Sequence, residues 1–295
     1  VAVLAAVVLA KDRTEEMAMA YNLRKGDRGQ EVKNLQSRLC GLEADGIFGS
    51  KTDAAVREYQ TAKNLAVDGI AGKATQSALG MPVYPGIDVS SHNGEIDWQA
   101  VSNSGVRFAW IKHTEGRTHE NPRHEENLLG ARANNVVAGA YHFARPDTDR
   151  EPNLGDATTE AKWFLSHYDA KPGDLVPMLD LENGMKTDDT YNAHWALTWL
   201  ETVESELGHK PICYTARWAE DMYLVNADKT LLEELKEYPV WVASYNSGIE
   251  PERPSRIWSG WNVWQYTGSG AVPGVEGNCD KNWMSGGMLD YLRMY

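Results

Sequence analysis

The apolar run Val176-Pro177-Met178-Leu179-Asp180-Leu181-Glu182-Asn183-Gly184 ends in two carboxylates one residue apart. Side chains alternate along a β-strand, so a strand here would place Asp180 and Glu182 on one face. Two acids on one face at the end of a buried strand repel each other, which raises the pKa of one of them. One protonated carboxyl beside one ionised carboxyl is what cleavage of a glycosidic bond requires. Taken alone, the pair also reads as a strand end with two solvated acids. Other apolar runs end in polar groups of the same kind: Asp88 in Gly86-Ile87-Asp88-Val89-Ser90-Ser91-His92-Asn93-Gly94, Tyr141-His142-Phe143, Tyr245 after residues 239–244, Gln265-Tyr266, and Asp280.

Bringing residues so far apart in sequence to one place demands a particular scaffold. Short apolar runs at 86–89, 108–112, 137–141, 176–181, 211–214, 240–244 and 262–266, with a weak one at 278–281, predict eight strands. Helical patterns fill most gaps, for example 158–168, 192–207 and 230–236. The alternation predicts an α/β fold, an irregular (β/α) TIM-like barrel, whose short later gaps leave the last helices reduced or missing. In such a barrel the active site lies at the C-terminal ends of the strands, where these polar residues fall.

Upstream is an internal repeat. Asp45-Gly46-Ile47-Phe48-Gly49-Ser50-Lys51-Thr52 matches Asp68-Gly69-Ile70-Ala71-Gly72-Lys73-Ala74-Thr75 at an offset of 23 residues. Each copy reads as a Gly-rich turn, a Ser or Thr helix cap and a helix. With the periodic Gly29, Val32, Leu35, Gln36 and Leu39 before it, the segment predicts a small three-helix domain. The expected organisation is an apolar segment over 1–22, the small domain over 23–80, a Pro-containing semi-rigid linker over 81–86 and the barrel over 87–295. Val1–Ala10 is wholly apolar but too short to span a bilayer. It fits a signal-peptide core, a truncated membrane anchor or a helix packed on the protein. Ala18-Met19-Ala20 has the form of a cleavage site, but a charged run, Lys11 to Glu16, precedes it. Export, with transient membrane association through this segment, is the expectation.

Composition narrows the partners. The net charge of −13 argues against nucleic acid, whose phosphates need a basic face. The charge is uneven, +2 over residues 24–80 and −14 over 81–295, as if the two parts meet different surroundings. Eleven Trp and thirteen Tyr against four Phe favour half-wet grooves, a natural surface for sugar rings. Cys40, Cys213 and Cys279 are too few for a disulfide framework. His119 and His124 are five apart with Pro122 between them, which breaks the four-residue spacing of a zinc helix and predicts a polar loop. No metal or cofactor is expected.

Two resemblances follow. The doubled Asp-Gly-Ile-x-Gly-x-x-Thr block, with Leu23, Gly26, Gly29, Val32, Leu35-Gln36 and Leu39, resembles the peptidoglycan-binding domain type 1 family, which implies a wall-anchoring module. Residues 86–295 resemble glycoside hydrolase family 25, the Chalaropsis-type lysozymes. The residues that carry it are Gly86-Ile87-Asp88-Val89-Ser90, Ile111-Lys112-x-Thr114-Glu115-Gly116, Tyr141-His142-Phe143, Asp180-x-Glu182, Trp264-Gln265-Tyr266 and Asp280. His113 and the shortened loop at His92-Asn93 depart from the family pattern.

The resemblance implies a muramidase that cuts the β-1,4 bond from N-acetylmuramic acid to N-acetylglucosamine. Glu182 would be the general acid, and Asp88 and Asp280 would help Asp180 hold it protonated. Asp180 would be either the nucleophile or the group that orients the substrate's 2-acetamido oxygen. Tyr141, Tyr245, Gln265 and Tyr266 would line the sugar cleft, and Lys112 and His142 would bind substrate or brace the barrel mouth. The expected partner is bacterial peptidoglycan and the expected state a monomer, in the periplasm or at the cell wall. The apolar N-terminus with a single catalytic barrel leans toward a phage endolysin. The rival readings are a wall-binding protein with a silent barrel and a glycosidase acting on another N-acetylated glycan.

Overall fold

The computed structural model describes residues 23–28, 30–39, 41–79, 81, 83–146, 154–183, 185, 188–245, 255–258 and 261–295. The apolar segment 1–22 with Ala18-Met19-Ala20, together with Gly29, Cys40, Pro82 and Gly184, lies outside the described residues. The chain divides near residue 85 into two units.

The first unit carries three helices, α1 (Gln30–Arg38), α2 (Ser50–Ala62) and α3 (Lys73–Ala78). Their periodic apolar faces close a small core of Leu23, Val32, Leu35, Leu39, Phe48, Val56 and Ala71. The sequence repeat becomes a repeat of hydrogen bonds. Gln36 Nε2 donates to Asp45 Oδ1, Ile47 O and Thr52 Oγ1 at 2.8, 3.1 and 3.0 Å, and its Oε1 accepts from Gly46 N at 2.9 Å. Gln60 does the same with Asp68, Ile70, Thr75 and Gly69 at 2.8, 2.9, 3.1 and 3.0 Å. Gly69 takes φ +73°, and a Cβ there would lie 2.4 Å from Asp53 Oδ1, so glycine is required.

The expected Ser or Thr cap does not form at α2. Gly49 is the N-cap with no side-chain bond, and Thr52 is inside the helix, accepting from Gln36 and donating to Ile47 O. The conserved spacing in the two blocks thus serves a buried glutamine and not a cap. Gln60→Ala is expected to leave the buried Gly69 amide unpaired, at about 1–3 kcal/mol. Hydrogen exchange of the full chain should then speed up at Gly69 and Ile70 and stay unchanged in the second unit. Unchanged protection at Gly69 would contradict the role given to Gln60.

The second unit is built on strands β1 (Val83–Val89), β2 (Phe108–Glu115), β3 (His119–Glu120), β4 (Val137–Phe143), β5 (Met178–Asp180), β6 (Ile212–Ala216), β7 (Val240–Ala243), β8 (Val263–Gly270) and β9 (Cys279–Ser285). Eight of them close into a barrel in the order β1-β9-β8-β7-β6-β5-β4-β2, with β2 returning to β1. β3 is a short antiparallel addition to β2. The stretch 81–86, expected as a linker, is strand from Val83 onward. Residues 119–124, expected as a polar loop, supply β3 and the start of α5.

Helices pack outside the barrel: α4 (Trp98–Asn103), α5 (His124–Ala133), α6 (Gly155–His167), α7 (Asp189–Leu207), α8 (Arg217–Tyr223) and α9 (Lys229–Leu235). One outer cluster joins Ile87, Val89, Ala109, Ile111 and Ala138 of the strands to Trp98, Val101, Leu128 and Ala131 of α4 and α5. Inside, Phe108, Trp110, Tyr214 and Trp241 form an aromatic plug with ring centroids 4.9–5.7 Å apart. Gly139 makes room for it, because a Cβ there would lie 2.9 Å from Trp110 Nε1. That indole in turn donates to Val176 O at 3.0 Å.

The last strand differs from a regular barrel. β9 runs antiparallel to β8, and only residues 271–278 join them. A parallel crossover needs a dozen or more residues, so a link this short can only turn back. The last residues of the chain lie against the segment that enters β5: Val176 N donates to Leu292 O, Met294 N to Asp174 O and Gly173 N to Met294 O, at 2.7–2.8 Å.

A bulge at Lys112/Thr114 breaks β2's alternation, so that Thr114 faces out of the barrel beside His113. The His113 ring is buried against His124 at 3.8 Å, with Phe164, His167 and Tyr168 around it. Burial, then the neighbouring His124 and His167, holds its pKa down to about 3.

Candidate active site

Strand alternation decides which predicted residues meet. Asp88 is inward on β1, because its neighbours Ile87 and Val89 belong to the outer cluster. On β4 the inward residues are Gly139 and Tyr141. On β5 it is Asp180, whose ladder partner on β6 is Tyr214. On β8 it is Gln265, whose antiparallel partner on β9 is Asn282. Glu182 and Tyr245 follow the ends of β5 and β7 by two residues.

These side chains form one bonded set. Gln265 Nε2 and Asn282 Nδ2 each donate to Asp88 Oδ2 at 2.9 Å. Gln265 Oε1 accepts from the hydroxyls of Tyr214 and Tyr245, at 3.0 and 2.6 Å. With its oxygen taken by two hydroxyls, Gln265 must turn its NH2 to Asp88. Gly268 lets the backbone approach, since a Cβ there would lie 3.0 Å from both Asp280 Oδ1 and Tyr245 Oη.

Burial pushes the four acids toward the protonated form, and at Asp88, Asp180 and Glu182 the charges of neighbouring acids add to it. Burial raises the pKa of Asp180 well above the usual carboxylate range, and the charges of Glu182, Asp88 and Asp280 raise it further while Lys112 opposes them. Glu182 is raised by burial and then by Asp280, with the Tyr214 hydroxyl working the other way. Asp280 is raised by burial, and Asp88 is raised by burial and then by Asp280. A set coupled in this way keeps protons as a group. Tyr141 faces all four: burial and then Asp88, Asp180, Asp280 and Glu182 keep its hydroxyl protonated, so it remains a donor. Asp180 Oδ1 is buried and accepts no hydrogen bond.

Lys112 is placed at the rim on β2. Its Nζ bonds Glu115 at 2.5 Å and sits 4.5 Å from the Phe143 ring centroid. Arg145 holds the other oxygen of Glu115 at 2.6 Å. Burial opposes the charge on Glu115, and the bonds from Lys112 and Arg145 override it and lower its pKa.

Two predicted site residues lie elsewhere. His142 follows the inward Tyr141 and therefore points out of the barrel. It is buried between Thr114 Oγ1 and Glu160 Oε2, both at 2.8 Å, and stacks on Trp199. It braces β4 against α6 and α7. Tyr266 follows the inward Gln265 and joins the aromatic face of Trp264 and Trp283, at 5.7 and 5.6 Å. Conversely, Tyr214, Asn282 and Gly268 belong to the site and were not singled out in the sequence. The period-two register from Asp180 to Tyr214 was the available clue to the tyrosine.

Near the first strand, Asn93 closes a tight turn, with its Oδ1 accepting from Ser90 N at 2.9 Å. Cys213 and Cys279 are buried free thiols. Among the described residues no three His, Cys, Asp or Glu side chains are placed to hold a metal ion, and no helix is long and apolar enough to cross a membrane.

Comparison with known proteins agrees with this geometry. The family model described as Glycosyl hydrolases family 25 matches residues 87–275, and the model described as Putative peptidoglycan binding domain matches residues 28–79. The chain is 34% identical over 206 residues to the uncharacterized protein YegX of Escherichia coli K12, covering 68% of this chain and 69% of that one. It is 30% identical to Lysozyme M1 of Streptomyces globisporus over 221 residues, 71% of this chain and 70% of the relative. The crystal structure of the bacterial lysozyme from Streptomyces coelicolor superimposes with a TM-score of 0.60 at 27% identity, covering 71% of this chain and 96% of that structure.

Proposed function

The chain belongs to glycosyl hydrolase family 25 and is a peptidoglycan-cleaving glycoside hydrolase, a muramidase, and we propose that it cuts the β-1,4 bond between N-acetylmuramic acid and N-acetylglucosamine with Glu182 as proton donor. The observation that carries this reading is the convergence of Asp88, Asp180, Glu182 and Asp280 on one rim around Tyr141. A wall-binding protein with a silent barrel has no use for four converging acids, two of them buried at a cost in solvation.

The acids divide the work by position. Glu182 is the more open of the coupled pair and delivers its proton to the glycosidic oxygen as the C–O bond breaks. Asp180, whose Oδ1 has no hydrogen-bond partner, serves the anomeric carbon, by attack or by orienting the substrate's acetamido oxygen. Water then completes the hydrolysis and returns a proton to Glu182. Tyr141 supplies its hydroxyl and Tyr245 its ring face to the sugars, and Lys112 offsets charge at Asp180.

The peptidoglycan-binding module tethers the enzyme to its polymer and raises the local substrate concentration without adding catalytic contacts. The place of action is the cell wall or periplasm, where the substrate is, and the setting is wall lysis by a phage endolysin or a bacterial autolysin. Mass analysis of digested walls tests the bond. Fragments ending in reducing muramic acid are expected. Fragments ending in reducing glucosamine would assign the cut to the other linkage and overturn the proposal.

A further inference from the structure

The two amide groups that hold Asp88 approach the same oxygen, Oδ2. The carboxyl is almost fully buried, at 8% exposure, and Asp280 lies within hydrogen-bonding reach of it. Two carboxylates cannot hydrogen-bond to each other unless one holds a proton. A carbonyl oxygen has two lone pairs and can take both amide N–H groups, which leaves the second oxygen of a neutral acid to carry the proton.

Among the described residues the titratable groups around Asp88 include no bonded cation, and burial and Asp280 outweigh the two amide bonds, which favour its charge. Those groups are Asp280 and Cys279 on β9, Asp180 and Glu182 at the end of β5, Tyr141 on β4, Tyr214 on β6 and Tyr245 beyond β7. Lys112 on β2 acts on Asp180 and is bonded to Glu115. Resting on the catalytic reading above, we propose that Asp88 is a neutral carboxylic acid in the working enzyme, its carbonyl oxygen clamped by Gln265 and Asn282 and its hydroxyl donated to an ionised Asp280.

Asp88 is then a positioning residue and not a base. It keeps the charge on Asp280, and that charge is what lifts Glu182 beyond the effect of burial. Gln265 likewise binds no sugar: its oxygen is filled by two tyrosine hydroxyls and its nitrogen serves Asp88. The tyrosines, the glutamine, Asn282 and Asp88 form one relay that ends at the proton donor.

An amide copies a neutral acid in this setting: Asn at 88 can accept both N–H groups and donate its own to Asp280. Asp88→Asn is expected to lose no more than about tenfold in kcat/KM on purified walls, and Asp88→Ala at least about tenfold more, a decade being 1.36 kcal/mol. The basic limb of the pH profile should keep its position in Asp88→Asn. In Asp88→Ala it should move to lower pH, because Asp280 without its donor takes up a proton and ceases to repel the Glu182 charge. Infrared spectra of the folded protein give a second measure: one protonated-carboxyl C=O band should vanish in Asp88→Asn. An Asp88→Asn enzyme that melts like the wild type but is as inactive as Asp88→Ala, or that keeps every such band, would overturn the inference. Absence of wall cleavage by the wild type would instead sink the catalytic reading.

Discussion

Glu182→Gln is expected to lower wall lysis on the order of 10² to 10⁴-fold, the usual weight of a general acid. Gln keeps the size and the hydrogen-bonding reach of Glu but has no proton to give. The wild-type rate should fall as pH rises through the pKa of Glu182, which burial and Asp280 place above the ordinary carboxylate value of 4.5. The sign follows from the role: the donor works only when neutral, so its active fraction is full below its pKa and lost above it. In Glu182→Gln that basic limb should disappear from whatever activity remains. Pull-down by purified walls should be unchanged, because binding belongs to the peptidoglycan-binding module. Lysis at a wild-type rate by the variant would remove Glu182 from the mechanism.

Asp180→Asn should have a comparable effect on rate and the opposite effect on stability. Removing the carboxylate at the anomeric carbon takes away either the attacking oxygen or the acceptor that steers the acetamido group, and both acts belong to the transition state. The fall should therefore appear in kcat. The folded-state pKa of Asp180 is raised by burial and by Glu182. A carboxyl whose pKa is higher folded than unfolded costs stability once pH exceeds its unfolded value. Asn abolishes that cost, so the variant should melt higher at neutral pH, by about 2–4 °C for each kcal/mol relieved. The gap should close as pH falls below the unfolded value of 3.8, where the wild type is protonated in both states. A variant that melts lower than the wild type at pH 7 would show that Asp180 is charged and well paired. Trapping with a slow substrate separates the two chemical roles: a covalent glycosyl adduct on Asp180 marks attack, and its absence alongside oxazoline inhibition marks steering.

The barrel was legible because its parallel strands are buried on both faces and so read as apolar runs. The acids were legible because they end those runs. What the sequence hid was the direction of single side chains. Tyr141 and His142, and again Gln265 and Tyr266, were read as neighbours sharing a task, but a strand sends adjacent residues to opposite faces. One of each pair lines the site, and the other anchors a helix layer or an aromatic face. Asn282 was hidden for another reason. Its place opposite Gln265 depends on β9 turning back, and the weak apolar pattern of 278–281 does not carry that direction. In the small domain the Thr positions were read as caps because local rules favour Thr there. Their actual partners are glutamines 16 and 15 residues away.

The return of residues 292–294 along 173–176 has a practical consequence. These contacts lie where the chain enters β5, at the opposite end of that strand from Asp180. Tyr295 itself is 87% exposed. An affinity handle, a fluorophore or a solid support attached at Tyr295 would therefore sit at the floor of the barrel and leave the mouth open to a polymer as large as a cell wall. The same strap makes trimming hazardous: cutting the chain before Leu292 would free the backbone that leads into the strand ending at Asp180.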